Sequence, residues 1–206
     1  MSTIEGGAVC TDDEDLYIRL KLVRAHGWDR NLDAIDQSKL RKKYKIQSKF
    51  YSKYTFYDLG FNLRPTEING FLGNIQLKYL QEIINKRQDN FKIFVKALNK
   101  RTDLYYPLEY NHIDIVSNFA YPVICKSKKI RNILIKKCKN KIEIRPIVGG
   151  DMTRQPFYLK YMSRYGKVLK NTNAKIIKEQ GLYFGNNPEM TRREKSIIID
   201  TFTKNI

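Results

Sequence analysis

The stretch 60–67, together with the helical pattern that follows it, constrains the fold of this chain most. Pro65 disfavours a helical backbone at Arg64, so the chain must arrive there in an extended conformation. Thr66 can then cap a helix, because its hydroxyl can accept a hydrogen bond from the first turn. Asn62 and Arg64 therefore precede a helix N-terminus, a position that suits a phosphate or another anion.

The apolar spacing after Thr66 predicts one long helix that ends near Lys100. Unbroken, it would extend roughly 50 Å at 1.5 Å per residue. Gly70 and Gly73 fall in its first two turns, although glycine weakens a helix. We expect another backbone to approach closely at these glycines. A helix of this length typically bridges two domains or packs along a partner subunit.

The beginning of the chain predicts a short strand followed by a helix. Residues 8–10 are small and apolar and follow a glycine pair, a pattern that favours a strand. Thr11 and Glu14 have the form of a capping box, which predicts a helix from residue 12 to about residue 25. Because no predicted strand precedes this one to pair with it, we expect this chain to be the C-terminal part of a larger protein.

Between residues 28 and 59 the periodicity fails, and the sequence predicts an irregular segment in which basic and aromatic side chains alternate. Such a segment can stack on single-stranded nucleic acid. A loop over a subunit interface or an active-site mouth has the same composition, and loops of this length are usually functional. We favour the interface loop and do not expect specific nucleic-acid binding.

The charge and the composition limit the classes of protein to consider. The chain has 206 residues and a formal charge of +18, from 39 Lys and Arg against 21 Asp and Glu. This charge favours anionic partners, although a lysine-rich surface also follows from an AT-rich coding sequence. No apolar run is long enough to span a membrane, and the N-terminus lacks the features of a signal peptide. We expect a soluble, cytoplasmic protein without a membrane partner.

The sequence contains no recognisable self-contained catalytic motif. The phosphate-binding glycine motifs, the nucleophile elbow and carboxylate pairs at metal-ligand spacing are all missing. The cysteines Cys10, Cys125 and Cys138 are far apart and have only two histidines to join them, so we expect reduced thiols and no metal site.

The second half of the chain predicts a small α/β unit. Strands are predicted at 118–125, 141–148 and 182–185, and helices at 128–139, at 174–180 and from Thr191. This order favours an open sheet with helices on one face. We divide the chain into a first domain at 1–64 and a second at 65–206.

Several motifs follow one another in an order that resembles a known enzyme family. They are EGGAVCTDD at 5–13, RAHG at 24–27, GFNLRPTE at 60–67 with QL at 76–77, EIRPIVGG at 143–150, and QP at 155–156. Together they resemble the C-terminal half of the DegT/StrS-type sugar aminotransferases, fold-type-I enzymes that use pyridoxal phosphate (PLP) to modify nucleotide-linked keto-sugars. The residues at 2–7, 145–148 and 185–186 are similar to those of the branch that contains GDP-4-keto-6-deoxymannose 3-dehydratase.

This resemblance implies an α/β fold: a strand–helix remnant of the large PLP-binding domain with an interface loop, a long connecting helix and a small C-terminal α/β domain. It implies that Asn62 contacts the PLP phosphate of a neighbouring subunit and that Arg64 lies alongside. Arg145 and Gln155 would border the nucleotide-sugar pocket. The implied partner is a second copy of the chain or a separate N-terminal half.

The resemblance also implies that a part of the active site lies outside this sequence. The family's catalytic lysine, or the histidine that replaces it, comes just upstream of the position of Glu5, before Met1. We therefore assign no catalytic residue, leave open whether the chain alone is an enzyme, and do not expect it to hold PLP by itself.

The expected parent activity is amino transfer to a nucleotide-linked 4-keto-6-deoxy sugar in polysaccharide, lipopolysaccharide or glycan biosynthesis. The alternatives are 3-dehydration of such a sugar by the same family and a non-catalytic basic binding fragment.

Overall fold

The computed structural model describes residues 2–162 and 172–206. The chain divides into two compact units, Met1–Lys78 and Tyr79–Ile206. The fold of the described residues is mixed α/β, predominantly helical with one small antiparallel sheet, which confirms the predicted class in its coarse form. The domain division after residue 64 stays a prediction.

The first unit consists of helices and the segments that join them. They are α1 (Glu14–Val23), α2 (Ala34–Lys43), α3 (Lys49–Ser52) and α4 (Glu67–Leu77), with a 3-10 turn at Asp29–Asn31. The prediction of an irregular segment at 28–59 is therefore wrong. Asp33 and Ser48 cap α2 and α3 by accepting hydrogen bonds from Asp36 N and Tyr51 N. These caps start helices where no apolar stripe signals them.

Two further predictions for the first unit are wrong. Residues 8–10 form no strand, because no strand among the described residues pairs with them. Helix α1 is capped by Asp13, whose side chain accepts a hydrogen bond from Leu16 N, and Thr11 instead accepts one from Asp13 N. A carboxylate one residue before the helix replaces the predicted capping box.

The predicted long helix is two helices. Helix α4 ends at Leu77, and α5 (Leu80–Leu98) begins after Tyr79. The apolar stripes of the two helices have different surroundings: Phe71 of α4 is 65% exposed, whereas Phe94 of α5 is fully buried in the second unit. A continuous apolar period predicts helical conformation on both sides of residues 78 and 79. It does not show that the backbone hydrogen bonds of one helix continue across them.

The expected close backbone approach at the glycines of α4 is also absent from the described residues. A Cβ atom at Gly70 would meet nothing within 4 Å, and one at Gly73 would lie 3.5 Å from the Thr3 side chain, an ordinary contact.

The second unit packs helices against a three-stranded antiparallel sheet of order β1–β3–β2. Its elements are β1 (Ala120–Ile124), α6 (Lys128–Cys138), β2 (Ile144–Arg145), α7 (Pro156–Tyr161), α8 (Thr172–Gln180), β3 (Gly181–Gly185) and α9 (Arg192–Thr203), with a 3-10 turn at Met152–Arg154. Strand β2 is shorter than the predicted 141–148, since Pro146 has no N–H with which to extend the ladder.

The core of the second unit is an aromatic cluster on one face of the sheet. Phe184 stacks on Tyr121 at 5.3 Å between ring centroids and meets the rings of Phe94 and Phe202 at 5.0 Å each. Buried amides fasten the turn after β3 to α5: Asn186 donates to Arg87 O (3.0 Å) and Asn90 donates to Asn187 O (2.9 Å). This unit therefore buries a core of its own.

The three cysteines have free thiols, of which Cys10 is exposed and Cys125 and Cys138 are buried. Burial raises the pKa of Cys125 to about 12 and that of Cys138 to about 11, because the thiolate loses its hydration. No helix of the described residues has both the length and the apolar character needed to cross a membrane.

We predict selective alkylation of the native protein at pH 8. Iodoacetamide should modify Cys10 and spare Cys125, which is ionised to only about one part in ten thousand at that pH if its pKa is about 12. Intact-mass and peptide mass spectrometry will count the adducts. Urea should make all three thiols reactive; rapid native modification of Cys125 would contradict the buried placement.

Candidate anion-binding site

The candidate site is built on backbone pairing between the segment 60–64 and the end of helix α1. Phe61 N donates to Val23 O (2.7 Å), His26 N donates to Phe61 O (2.8 Å), and Leu63 N donates to Arg24 O (2.9 Å). These bonds satisfy carbonyl groups that a helix end leaves unpaired. They also bring the segment to the end of α1 in an extended conformation.

Two glycines make this pairing possible. Gly27 has a φ of +81°, and a Cβ atom there would lie 1.8 Å from Asp58 O. A Cβ atom at Gly60 would lie 2.2 Å from Gly27 N. Backbone meets backbone at both positions, so no side-chain movement can make room for a larger residue.

The extended segment then turns into α4 at a capped N-terminus. Thr66 accepts a hydrogen bond from Asn69 N (3.4 Å), and Asn69 Oδ1 accepts one from Thr66 N (2.9 Å), so the two residues form a reciprocal capping box. This confirms Thr66 as the predicted cap. It places Asn62 and Arg64 directly before the positive end of a helix dipole.

A cavity of about 510 Å³ opens at this junction. It is lined by Arg24, Asn31, Asn62, Arg64, Pro65 and Thr66. The lining that the described residues provide contains two guanidinium groups and two amides but no carboxylate. Such a set of donors, beside a helix N-terminus, suits a phosphate or a comparable anion.

The structure brings the predicted pair Asn62 and Arg64 into this one cavity. Asn62 also makes an isolated antiparallel bridge with Ala25, which holds its backbone against the end of α1. Sequence reasoning missed Arg24 and Asn31 as lining residues. Arg24 lies in the RAHG motif that carried the resemblance, but no local signal marked Asn31, which the 3-10 turn brings to the cavity.

The Asn31 side chain has an unusual environment. Its Oδ1 atom is buried and has no hydrogen-bond donor among the described residues. A buried acceptor without a donor is costly, so it commonly marks a place where water or a ligand completes the structure.

The other two predicted site residues do not lie in this cavity. Arg145 donates to Glu143 Oε1 from Nε (2.9 Å) and Nη2 (2.6 Å) and remains largely exposed. Glu143, with a smaller contribution from Tyr183, raises the pKa of Arg145 above its usual value. Arg145 lines a separate cavity of about 560 Å³ in the second unit, where acidic and basic side chains are mixed.

Gln155 is half-buried and has a local partner. Its Nε2 atom donates to Gly149 O (2.9 Å), which closes the loop between these residues. Gln155 is not among the residues that line the cavity at Arg145. The structure therefore keeps the two predicted nucleotide-sugar residues in separate local settings, and their roles stay predictions.

Large apolar side chains are exposed around the candidate anion site. Phe61 (63%) and Leu63 (67%) flank Asn62 in the chain, and Ile68 (64%) and Phe71 (65%) lie on the following helix. Soluble monomers rarely expose several large apolar residues so close together, and such groups typically mark a binding surface.

The comparisons with known proteins agree on one family. Residues 1–203 match the family described as "DegT/DnrJ/EryC1/StrS aminotransferase family". A GDP-4-keto-6-deoxy-D-mannose 3-dehydratase of Yersinia pseudotuberculosis is 34% identical over 189 residues, 90% of this chain and 46% of the relative. A protein of the same name from Escherichia coli O55:H7 is 35% identical over 194 residues, 90% of this chain and 47% of the relative.

Among solved structures, "E coli GDP-4-keto-6-deoxy-D-mannose-3-dehydratase with bound hydrated PLP" is similar, with a TM-score of 0.74 and 29% identity. The match covers 98% of this chain and 51% of that chain. The chain thus spans about half the length of the curated relatives it matches, 46% and 47%.

We predict that alanine at Gly60 will destabilise the first unit by about 1–3 kcal/mol, because its Cβ atom would overlap backbone atoms of the Gly27 turn. Alanine at Gly70 is the matched control: it meets nothing within 4 Å and should stabilise α4 by up to about 1 kcal/mol. Urea unfolding can follow the fluorescence of Trp28, the single tryptophan of the chain. Equal effects of the two substitutions would contradict the close approach at Gly60.

Proposed function

Because this chain belongs to the DegT/DnrJ/EryC1/StrS aminotransferase family, we propose that it forms part of a PLP-dependent enzyme that modifies a nucleotide-linked 4-keto-6-deoxy sugar. The pathway would be the biosynthesis of a surface polysaccharide or another glycan. Within the fold-type-I architecture of the family, this chain would supply the end of the large domain, the connecting helices and the small C-terminal domain.

The observation that carries the proposal is the cavity lined by Asn62 and Arg64, which no carboxylate of the described residues lines. Its amide and guanidinium donors fit the phosphate of PLP, which would be held mainly by a partner polypeptide. The cofactor supplies an electron sink for the sugar chemistry, while the protein must bind and orient it. Asn62 and Arg64 would fix the phosphate end by charge-assisted hydrogen bonds.

Of the two reactions of the family, we propose 3-dehydration as the main candidate and amino transfer as the alternative. The sequence alone placed amino transfer first, as the commoner activity of the family. Two relatives named 3-dehydratases, with 34% and 35% identity, favour the other order. The residue at the family's catalytic position, which lies upstream of Met1 in the complete enzyme, would decide: histidine favours dehydration and lysine favours amino transfer.

The nucleotide-sugar would be bound in part by Arg145 and Gln155. Arg145 is exposed and keeps its positive charge while paired with Glu143, so a diphosphate could exchange for that carboxylate. Gln155 is tied to Gly149, and we assign to it the shaping of the loop that borders the sugar.

The proposed partner is a second copy of the chain or a separate polypeptide that supplies the front half of the family fold. The exposed apolar residues beside Asn62 support a partner, since water would otherwise contact Phe61, Leu63 and Phe71. Exposure of Val9 (72%) and Tyr17 (50%) at the beginning of the chain supports it further.

We predict that Arg64→Gln or Asn62→Ala will weaken PLP binding by about 10- to 100-fold, the loss expected for a hydrogen bond to a charged group. The experiment uses this chain co-expressed with a polypeptide that supplies the upstream half of the fold, and equilibrium dialysis measures the PLP dissociation constant. Arg19→Gln is the matched control, because Arg19 is an exposed arginine of the same unit that does not line the cavity.

Three outcomes would contradict the proposal. Unchanged PLP affinity in the Arg64 and Asn62 variants would remove the phosphate role. Failure of every complemented complex to bind PLP would favour a non-catalytic fragment. Affinity for nucleic acid that depends on sequence and falls steeply with salt would favour a nucleic-acid-binding protein instead.

A further inference from the structure

We infer that Trp28 is a positioning residue for Arg64, and that its indole ring holds the guanidinium in the orientation in which it receives the anion. This inference deepens the proposed function and rests on it. It adds a residue from the segment 28–59 to a site that sequence motifs placed at 60–67.

The first step concerns the partners of Arg64. Its Cζ atom lies 5.8 Å from the centroid of the Trp28 ring, within the distance of about 6 Å at which a cation interacts with an aromatic face. Among the described residues, no carboxylate forms an ion pair with Arg64. The ring can therefore restrict the side chain without neutralising it, which a carboxylate would do.

The second step concerns what holds Trp28. Its ring stacks on Phe56 at 6.1 Å between centroids, and the two residues also form an isolated backbone bridge. The centroid of the His26 ring lies 4.6 Å from that of the Trp28 ring, and the two planes are inclined by 60°. The indole Nε1 atom is buried without an acceptor in the described part of the chain, so ring contacts hold this side chain.

The third step concerns a second guanidinium on the same aromatic platform. Arg30 lies 3.9 Å from the Trp28 ring and 4.4 Å from the Tyr54 ring, and its Nε atom donates to Lys53 O at 2.7 Å. Arg30 is thus fastened from several sides and does not line the cavity. It adds positive charge near the anion site, whereas Arg64 is one of the two arginines that line the cavity.

A plain packing role for Trp28 makes a different prediction. If the ring only filled space, leucine would serve nearly as well, and any loss would be independent of Arg64. If the ring positions Arg64, Trp28→Phe should retain most of the PLP affinity and Trp28→Leu should reduce it. In a variant that lacks the Arg64 guanidinium, Trp28→Leu should cause no further reduction.

The first measurement is made on the full chain alone and needs no cofactor. In the wild-type protein, the ring current of Trp28 should displace the Nε–H resonance of Arg64, observed by NMR of protein labelled with ¹⁵N-arginine and assigned with Arg64→Gln. Trp28→Leu should move this resonance towards its value in a free arginine, and Trp28→Phe should move it less. An unchanged resonance in Trp28→Leu overturns the inference.

The second measurement is a double-mutant cycle on the PLP dissociation constant of the complemented complex. Trp28→Leu should weaken PLP binding about fivefold, the size of an ordinary cation–π contribution. In the Arg64→Gln background, it should have no further effect. Tyr106→Leu is the matched control, because it removes a cation–π pair with Lys126 (4.1 Å) in the second unit and should leave PLP affinity unchanged.

The outcomes separate the two proposals. If Arg64→Gln weakens PLP binding but Trp28→Leu acts equally in both backgrounds, the positioning role is overturned and the proposed function stands. If neither Arg64→Gln nor Asn62→Ala changes PLP affinity, both fall, even when the NMR measurement shows the ring over the guanidinium. A twofold or smaller effect of Trp28→Leu with circular dichroism unchanged also overturns the positioning role.

Discussion

The candidate site depends on the close approach of two backbone segments at Gly27 and Gly60. A Cβ atom at either glycine would fall within 2.2 Å of the opposing backbone, so the segment 60–64 can pair with the end of α1 only if both side chains are absent. The hydrogen bond from Leu63 N to Arg24 O (2.9 Å) then sets the register of the segment. Pro65 and Thr66 turn the chain into α4 directly afterwards, so the anion-binding donors emerge from an otherwise constrained backbone.

The two units of the chain use their apolar residues differently. In the second unit, Phe94, Phe184 and Phe202 bury one another in the core of that unit. In the first unit, Phe61 and Phe71 remain more than 60% exposed beside a cavity that cationic side chains line and that no carboxylate of the described residues lines. Such a surface, both apolar and cationic, suits the binding of a partner polypeptide and of an anion, as we propose.

Sequence reasoning succeeded where the cause of a structure lies within a few residues. The cap at Thr66 and the start of the helix predicted from Thr191 are of this kind. It failed where secondary structure was predicted from the periodicity of apolar residues alone. The helices between residues 28 and 59 begin at polar caps without an apolar stripe, and the continuous stripe after Thr66 hid a break at Lys78 and Tyr79. The strand expected at 8–10 has no neighbouring strand among the residues that the structure describes, and a strand needs one to satisfy its backbone.

By itself, the sequence determined which residues precede a helix N-terminus and which family the chain resembles. A proline, a capping threonine and their neighbours act through bonds and contacts only a few positions apart, so Asn62 and Arg64 could be chosen without a structure. Only the tertiary structure decided that Arg24 and Asn31 line the same cavity and that Trp28 lies against Arg64. These residues are separated by 30 or more positions in the chain from their partners, and the backbone pairing at Gly27 and Gly60 is what brings them together.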